Sequence, residues 1–202
     1  MKKTTKKIVT KKPAAAPATP AAPPKVKVAT MWLSGCSGCH MSLLDIDERI
    51  LELLKHVDIL YSPIVDIKLK DIPYVDVGIV EGCVNNTDQE HELKLMREHC
   101  KILIALGDCA VTGNVPSLRN QFALKDCLQR AYEQTESTKI SCIPNDPVVP
   151  KLLPKAHPLQ EIVKVDLHVP GCPPDADAIW FVLTELLAGR TPQFNEKNMR
   201  YD

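Results

Sequence analysis

Aromatic side chains are scarce, at 4% of 202 residues, too few for the stacking platform of a single-stranded nucleic-acid binder. No apolar run approaches the roughly 20 residues of a transmembrane helix, so no membrane span is expected. The first 27 residues lack arginine and lack every acidic side chain. A twin-arginine signal, an arginine-rich mitochondrial leader and a secretory signal with an apolar centre are therefore not expected at this N-terminus. The expected compartment is the reducing cytoplasm, where eight cysteines serve as metal ligands or buried thiols rather than as a disulfide framework.

What is present divides in two. The formal net charge is zero, yet eight lysines fall within residues 1–27, leaving 17 basic side chains against 25 acidic ones in the remainder. An acidic domain argues against nucleic acid as a partner. Residues 1–25 combine lysine pairs with Pro/Ala repeats and cannot bury enough apolar surface to offset ordering entropy, so they are expected to form a disordered tail. Residues 26–202 suit a single domain.

Within that domain the apolar periods alternate. Val26 to Leu33 reads as a strand, and Met41 onward carries Leu43, Leu44, Ile46, Ile50, Leu51 and Leu54 at helical spacing. Val57 to Val65 is a second strand, with Pro63 marking an edge or bend. Val75 to Val80 is a third; Thr87, with Glu90 three residues on, has the form of a capping box for a helix to about His99. Ile102 to Leu106 is a fourth strand, followed by a loop at Thr112 to Pro116 and a helical stretch from Ser117 to Glu133. Residues 134–160, with five prolines, read as a long surface excursion. Ile162 to Val169 is a fifth strand, and the last helix starts after Pro174 and stops at Gly189. This order predicts an α/β fold, a flavodoxin-like parallel sheet in strand order 2-1-3-4-5 with helices on both faces. Ligands of such sheets sit outside the carboxyl ends of the strands.

Cys36, Cys39, Cys83, Cys109 and Cys172 all fall just past those ends. A lone Cys-x-x-Cys such as Cys36 to Cys39 is compatible with zinc, a redox dithiol or an iron–sulfur cluster. Structural zinc sites draw on compact knuckles, whereas Cys109 and Cys172 follow after gaps of 69 and 62 residues, a spacing that favours a cluster.

Four segments together resemble the small subunit of nickel-iron hydrogenases: Trp32 to Leu44 with its Cys-Ser-Gly-Cys, Val80-Glu81-Gly82, Gly107-Asp108-Cys109-Ala110 with Thr112-Gly113-Asn114, and Pro170-Gly171-Cys172-Pro173-Pro174. The resemblance covers roughly residues 26 to 190. It implies that Cys36, Cys39, Cys109 and Cys172 bind a proximal 4Fe-4S cluster. The membrane-bound members' twin-arginine signal and second cluster domain are not found here, so the chain is most similar to the small subunit of cytoplasmic NAD-reducing, or bidirectional, hydrogenases. The implied partners are a nickel-iron large subunit, which carries the catalytic metal site, and diaphorase iron–sulfur and flavin subunits.

Departures from the family pattern leave other readings open. Cys83 is a fifth thiol near the crevice, read foremost as a buried small side chain. Glu81 is a candidate proton relay, with a structural role as the stronger reading. His40 is expected to be a hydrogen-bond donor or a surface residue rather than a ligand of iron. A complex I-like iron–sulfur subunit shares the fold but has adjacent cysteines at the first motif. A flavin-binding flavodoxin-like module would want a Ser/Thr-rich phosphate loop where this chain has cysteines. Whether FMN also binds is undecided by the sequence.

Overall fold

The computed structural model describes residues 24–63 and 72–195; the expected tail over residues 1–23 and the end of the expected second strand, Ile64 and Val65, lie outside them. The chain begins with β1 (Val26–Trp32), α1 (Gly38–Leu44), α2 (Arg49–His56), β2 (Val57–Tyr61) and β3 (Val75–Glu81). It continues through β4 (Val84–Asn86), α3 (Thr87–His99), β5 (Cys100–Leu106), α4 (Asp108–Thr112) and α5 (Asn114–Ser117). A 3-10 turn at Leu118–Gln121 leads to α6 (Leu124–Tyr132), β6 (Leu152–His157), β7 (Leu167–Val169) and α7 (Ala176–Leu187).

Five strands make a parallel sheet in the order β2-β1-β3-β5-β7, which is the expected 2-1-3-4-5 once the small β4 and β6 are set aside. Alternate residues feed two cores. Ala29, Met31, Val80, Leu103 and Ala105 face Leu93 and Met96 of α3. Val28, Val77, Ile79, Ile104 and Val169 face Leu53 of α2 and Ile179, Val182 and Leu183 of α7. Burial on both faces explains why residues 77–80 of β3 and 102–106 of β5 run continuously apolar rather than alternating.

Local departures from the sequence reading have tertiary causes. The expected single helix from Met41 breaks at 45–48, where Asp47 has φ of +54° and the turn lets Ile46 bury completely in the second core. The α3 cap is not the Thr87/Glu90 box. Asn86 accepts from the Gln89 N–H at 2.9 Å, while Gln89 Oε1 accepts from Asn85 N–H and the Ser34 hydroxyl. The expected Ser117–Glu133 helix is interrupted because Arg119 and Asn120 turn away to bond Asn85, Leu153 and Ala156. The proline-rich excursion contains β6, which pairs antiparallel with β4. Finally, β7 covers only the last part of Ile162 to Val169; Ile162, Val163 and Val165 pack on the first core without strand pairing.

Candidate metal centre

Four chain segments meet outside the carboxyl ends of β1, β3, β5 and β7. After β1, the Leu33 N–H donates to Glu81 O, and Ser34 and Cys83 exchange backbone hydrogen bonds at 3.0 and 2.8 Å. This bridge aims the following turn, with Cys36 and Cys39, over the end of β3. Cys39 lies within the first turn of α1, which is entered through Ser37 with φ of 64°. After β5, Gly107 donates to Val169 O at 2.7 Å and Asp108 N–H to Gly171 O at 2.8 Å. The Asp108 carboxylate then accepts from Gly171 N–H at 2.7 Å. Asp108 therefore staples the Cys109 loop to the Cys172 loop, a role that no local period in the sequence announces.

Cys36, Cys39, Cys109 and Cys172 line one small cavity of about 50 Å³ together with Glu81, Gly35, Gly82 and Gly171. The crevice expected from the strand order thus gathers all four. Cys83 is fully buried and does not line the cavity; burial, reinforced by the nearby Cys109 charge, pushes its thiol up to about 11. Cys100 belongs to the first core, whereas Cys127 is half-buried on α6 and Cys142 is exposed. Among the described residues, no three His, Cys, Asp or Glu side chains are grouped for a single metal ion.

The residues present fit an iron–sulfur cluster on three counts. The four candidate ligands are soft thiols, the donor type such clusters use. Gly107 has φ of +82°, and a Cβ there would overlap Cys39 Sγ, so the loop is cut to leave the sulfur its space. Electrostatics point the same way. Burial pushes the Cys39 thiol far above its ordinary value, and the charges of Glu81, Cys109, Cys36 and Cys172 push it further. Cys109 is raised by burial and then by Cys172, Cys36 and Glu81. Burial and the neighbouring negative charge thus keep Cys39 and Cys109 protonated unless a cation offsets that charge.

Glu81, in the cavity wall, and its neighbour His40 are nearly fully buried. Glu81 Oε2 accepts the His40 backbone N–H at 2.7 Å and stands 2.8 Å from His40 Nδ1, a close contact lacking hydrogen-bond alignment. His40 meets the Trp32 ring edge to face at 5.5 Å. The His40 side chain is neither the hydrogen-bond donor nor the surface group expected from the sequence, since it is buried and both ring nitrogens lack a hydrogen-bond partner; only the backbone N–H donates.

Residues 36–186 match the family model for NADH ubiquinone oxidoreductase, 20 Kd subunit. The chain belongs to this family. Among its relatives is the NAD-reducing hydrogenase HoxS subunit delta of Cupriavidus necator, 45% identical over 88% of this chain and 86% of the relative. A subunit of the F420-non-reducing hydrogenase of Methanothermobacter thermautotrophicus is 38% identical over 87% of this chain, which spans only 58% of that longer relative. A crystal structure of NAD+-reducing [NiFe]-hydrogenase in the H2-reduced state superposes with a TM-score of 0.85 and 42% identity, covering 89% of this chain and all of the matched one. The Ni-Fe-Se hydrogenase from Desulfomicrobium baculatum, at 17% identity and a TM-score of 0.52, shares the fold. Both named relatives are hydrogenase subunits, as the four motifs imply. Nothing in these similarities supports FMN on this chain. No helix among the described residues is long and apolar enough to cross a membrane.

Proposed function

We propose that this chain is the electron-transferring small subunit of a cytoplasmic NAD-reducing nickel-iron hydrogenase, holding one proximal 4Fe-4S cluster through Cys36, Cys39, Cys109 and Cys172. The observation that carries the reading is the meeting of these four thiols around one cavity at the strand ends. When bound, the cluster supplies a one-electron relay whose potential follows its charge, sulfur hydrogen bonds and exposure. The chain's own residues do the rest. The Ser34–Cys83 bridge and the Asp108 staple fix the loops, Gly107 clears room for a sulfur, and Glu81 anchors the start of the Cys39 helix through His40 N–H.

In this reading H2 is cleaved on a nickel-iron large subunit that covers the cysteine face, and electrons continue to the iron–sulfur and flavin subunits of a diaphorase module. Glu81 remains the proton-relay candidate because it is among the residues that line the cavity. Its two close approaches to His40 support the anchoring role more directly. The Cys36-Ser37-Gly38-Cys39 spacing, in place of adjacent cysteines, favours the hydrogenase over a complex I-like subunit.

The test is anaerobic co-purification from cells expressing the partner subunits, with metal, flavin and sulfide counts and H2-dependent NAD+ reduction. The expected result is a hetero-oligomer with nickel, flavin and iron, and an isolated chain with a cubane signal but no turnover. An isolated chain that turns over H2 by itself overturns the subunit role. A chain that binds zinc or flavin in place of iron overturns the cluster.

A further inference from the structure

Asn114 is placed against one of the four thiols. Its Nδ2 lies 3.2 Å from Cys172 Sγ, joining residues 58 positions apart. A metal-bound thiolate only accepts, so the amide must present its nitrogen there rather than its oxygen.

The loop that carries Asn114 is built to hold this pose. Gly113 and Asn114 have consecutive positive φ values, 85° and 36°, the second in a region that non-glycine residues rarely enter. The Asn114 carbonyl accepts from the Ser117 hydroxyl at 2.7 Å, and its N–H lies 3.4 Å from Thr112 Oγ1. The Thr112 hydroxyl in turn donates to Asp108 O at 2.9 Å, beside the Cys109 ligand. One loop thus ends in an amide donor aimed at a sulfur of the other.

We propose that Asn114 is a positioning residue that raises the reduction potential of the cluster by donating a hydrogen bond to Cys172 sulfur; this rests on the cluster reading above. Reduction adds negative charge that spreads onto the ligand sulfurs, and an N–H donor stabilises the more negative state more strongly. The alternative is that asparagine serves only to adopt the left-handed turn. Asn114→Gly separates the two, because glycine keeps the turn and removes the donor. Asn114→Asp keeps the size and puts an acceptor where the donor was.

The experiment is an EPR-monitored redox titration of the assembled complex, wild type and both variants, with iron counted in each. Asn114→Gly is expected to lower the reduced-to-oxidised ratio at fixed potential up to about tenfold, equivalent to a downward shift of about 59 mV for a one-electron couple. Asn114→Asp is expected to move at least as far in the same direction. A fully loaded Asn114→Gly with the wild-type midpoint, or a higher one, overturns the proposal. Should Asn114→Gly fail to load iron, an Asn114→Asp midpoint equal to wild type overturns it. Absence of any cubane signal in the wild-type complex refutes the cluster reading instead.

Discussion

His40 and Glu81 lock the first cysteine loop to the end of the central strand: one carboxylate oxygen, Glu81 Oε2, takes the His40 backbone N–H at 2.7 Å and lies 2.8 Å from its ring Nδ1, with the two side chains 4% and 2% exposed. The residue preceding His40 is Cys39, so the contact fixes a sulfur's position as well as filling the core. Removing the carboxylate leaves a buried N–H without its acceptor.

Glu81→Ala is therefore expected to cost about 1–3 kcal/mol and to lower iron loading, measured by denaturation and iron count. Glu81→Gln retains a carbonyl acceptor and is expected to load iron normally, with H2-dependent turnover within about threefold of wild type. A more than tenfold loss of turnover in a fully loaded Glu81→Gln complex would instead make Glu81 the proton relay, since a contribution of about 10² or more is typical of positioned proton transfer.

Cys83 and Cys109 differ in place rather than in chemistry. Cys109 lines the cavity and Cys83 is sealed behind it, tied to Ser34 by its backbone. Cys83→Ala is expected to keep the cubane and cost about 1 kcal/mol for the small void. Alanine at Cys36, Cys39, Cys109 or Cys172 is expected to abolish or convert it. An intact 4Fe-4S spectrum in Cys109→Ala with loss in Cys83→Ala reverses the ligand assignment.

The strand order and the meeting of the four cysteines were legible because both follow from strong local signals: apolar runs buried on two faces, and turns at their carboxyl ends. What the sequence hid depends on side chains that reach across the fold. Arg119 sits in a stretch whose pattern is nearly helical, and only its distant partners Asn85 and Leu153 explain the break. The β4–β6 pair was masked by Pro154 and by the shortness of Val84–Asn86. Asp108 stands in plain view beside Cys109, but its bond to Gly171 joins positions 63 residues apart.

Arg119 offers a test of that distant bracing. Its Nε donates to Asn85 Oδ1 at 2.8 Å, one terminal nitrogen to Leu153 O at 2.9 Å and the other to Pro154 O at 3.2 Å. Hydrogen bonds from a charged donor contribute about 1.5–3 kcal/mol each at most and overlap when they share one group. Arg119→Ala is expected to destabilise the chain by roughly 2–3 kcal/mol in a urea titration, and hydrogen exchange is expected to speed up in β4 and β6 before the parallel sheet. Uniform acceleration across both sheets would show that the small sheet is not an independent unit.

Asp166 gives the fold its clearest acid-sensitive contact. Its Oδ2 accepts from the Leu103 N–H at 2.9 Å and from Arg97 at 2.5 Å, while its own N–H donates to Leu103 O, closing the approach of β7 to β5. Burial alone works against the charge, but the Leu103 and Arg97 donors outweigh it and hold the carboxyl below its ordinary value. A folded-state value below the unfolded one of about 3.9 means that the stabilisation is fully present above that pH. It is lost as pH falls through the lower, folded value. Asp166→Asn keeps the size and removes the charge, so it is expected to cost about 1–2 kcal/mol at pH 7. The gap between variant and wild type should narrow below about pH 4, as the wild-type carboxyl becomes protonated. Urea titrations of both proteins at pH 7 and pH 3 read this directly. A gap of the same size at both values would show that packing, rather than the ionised carboxylate, is what Asp166 contributes.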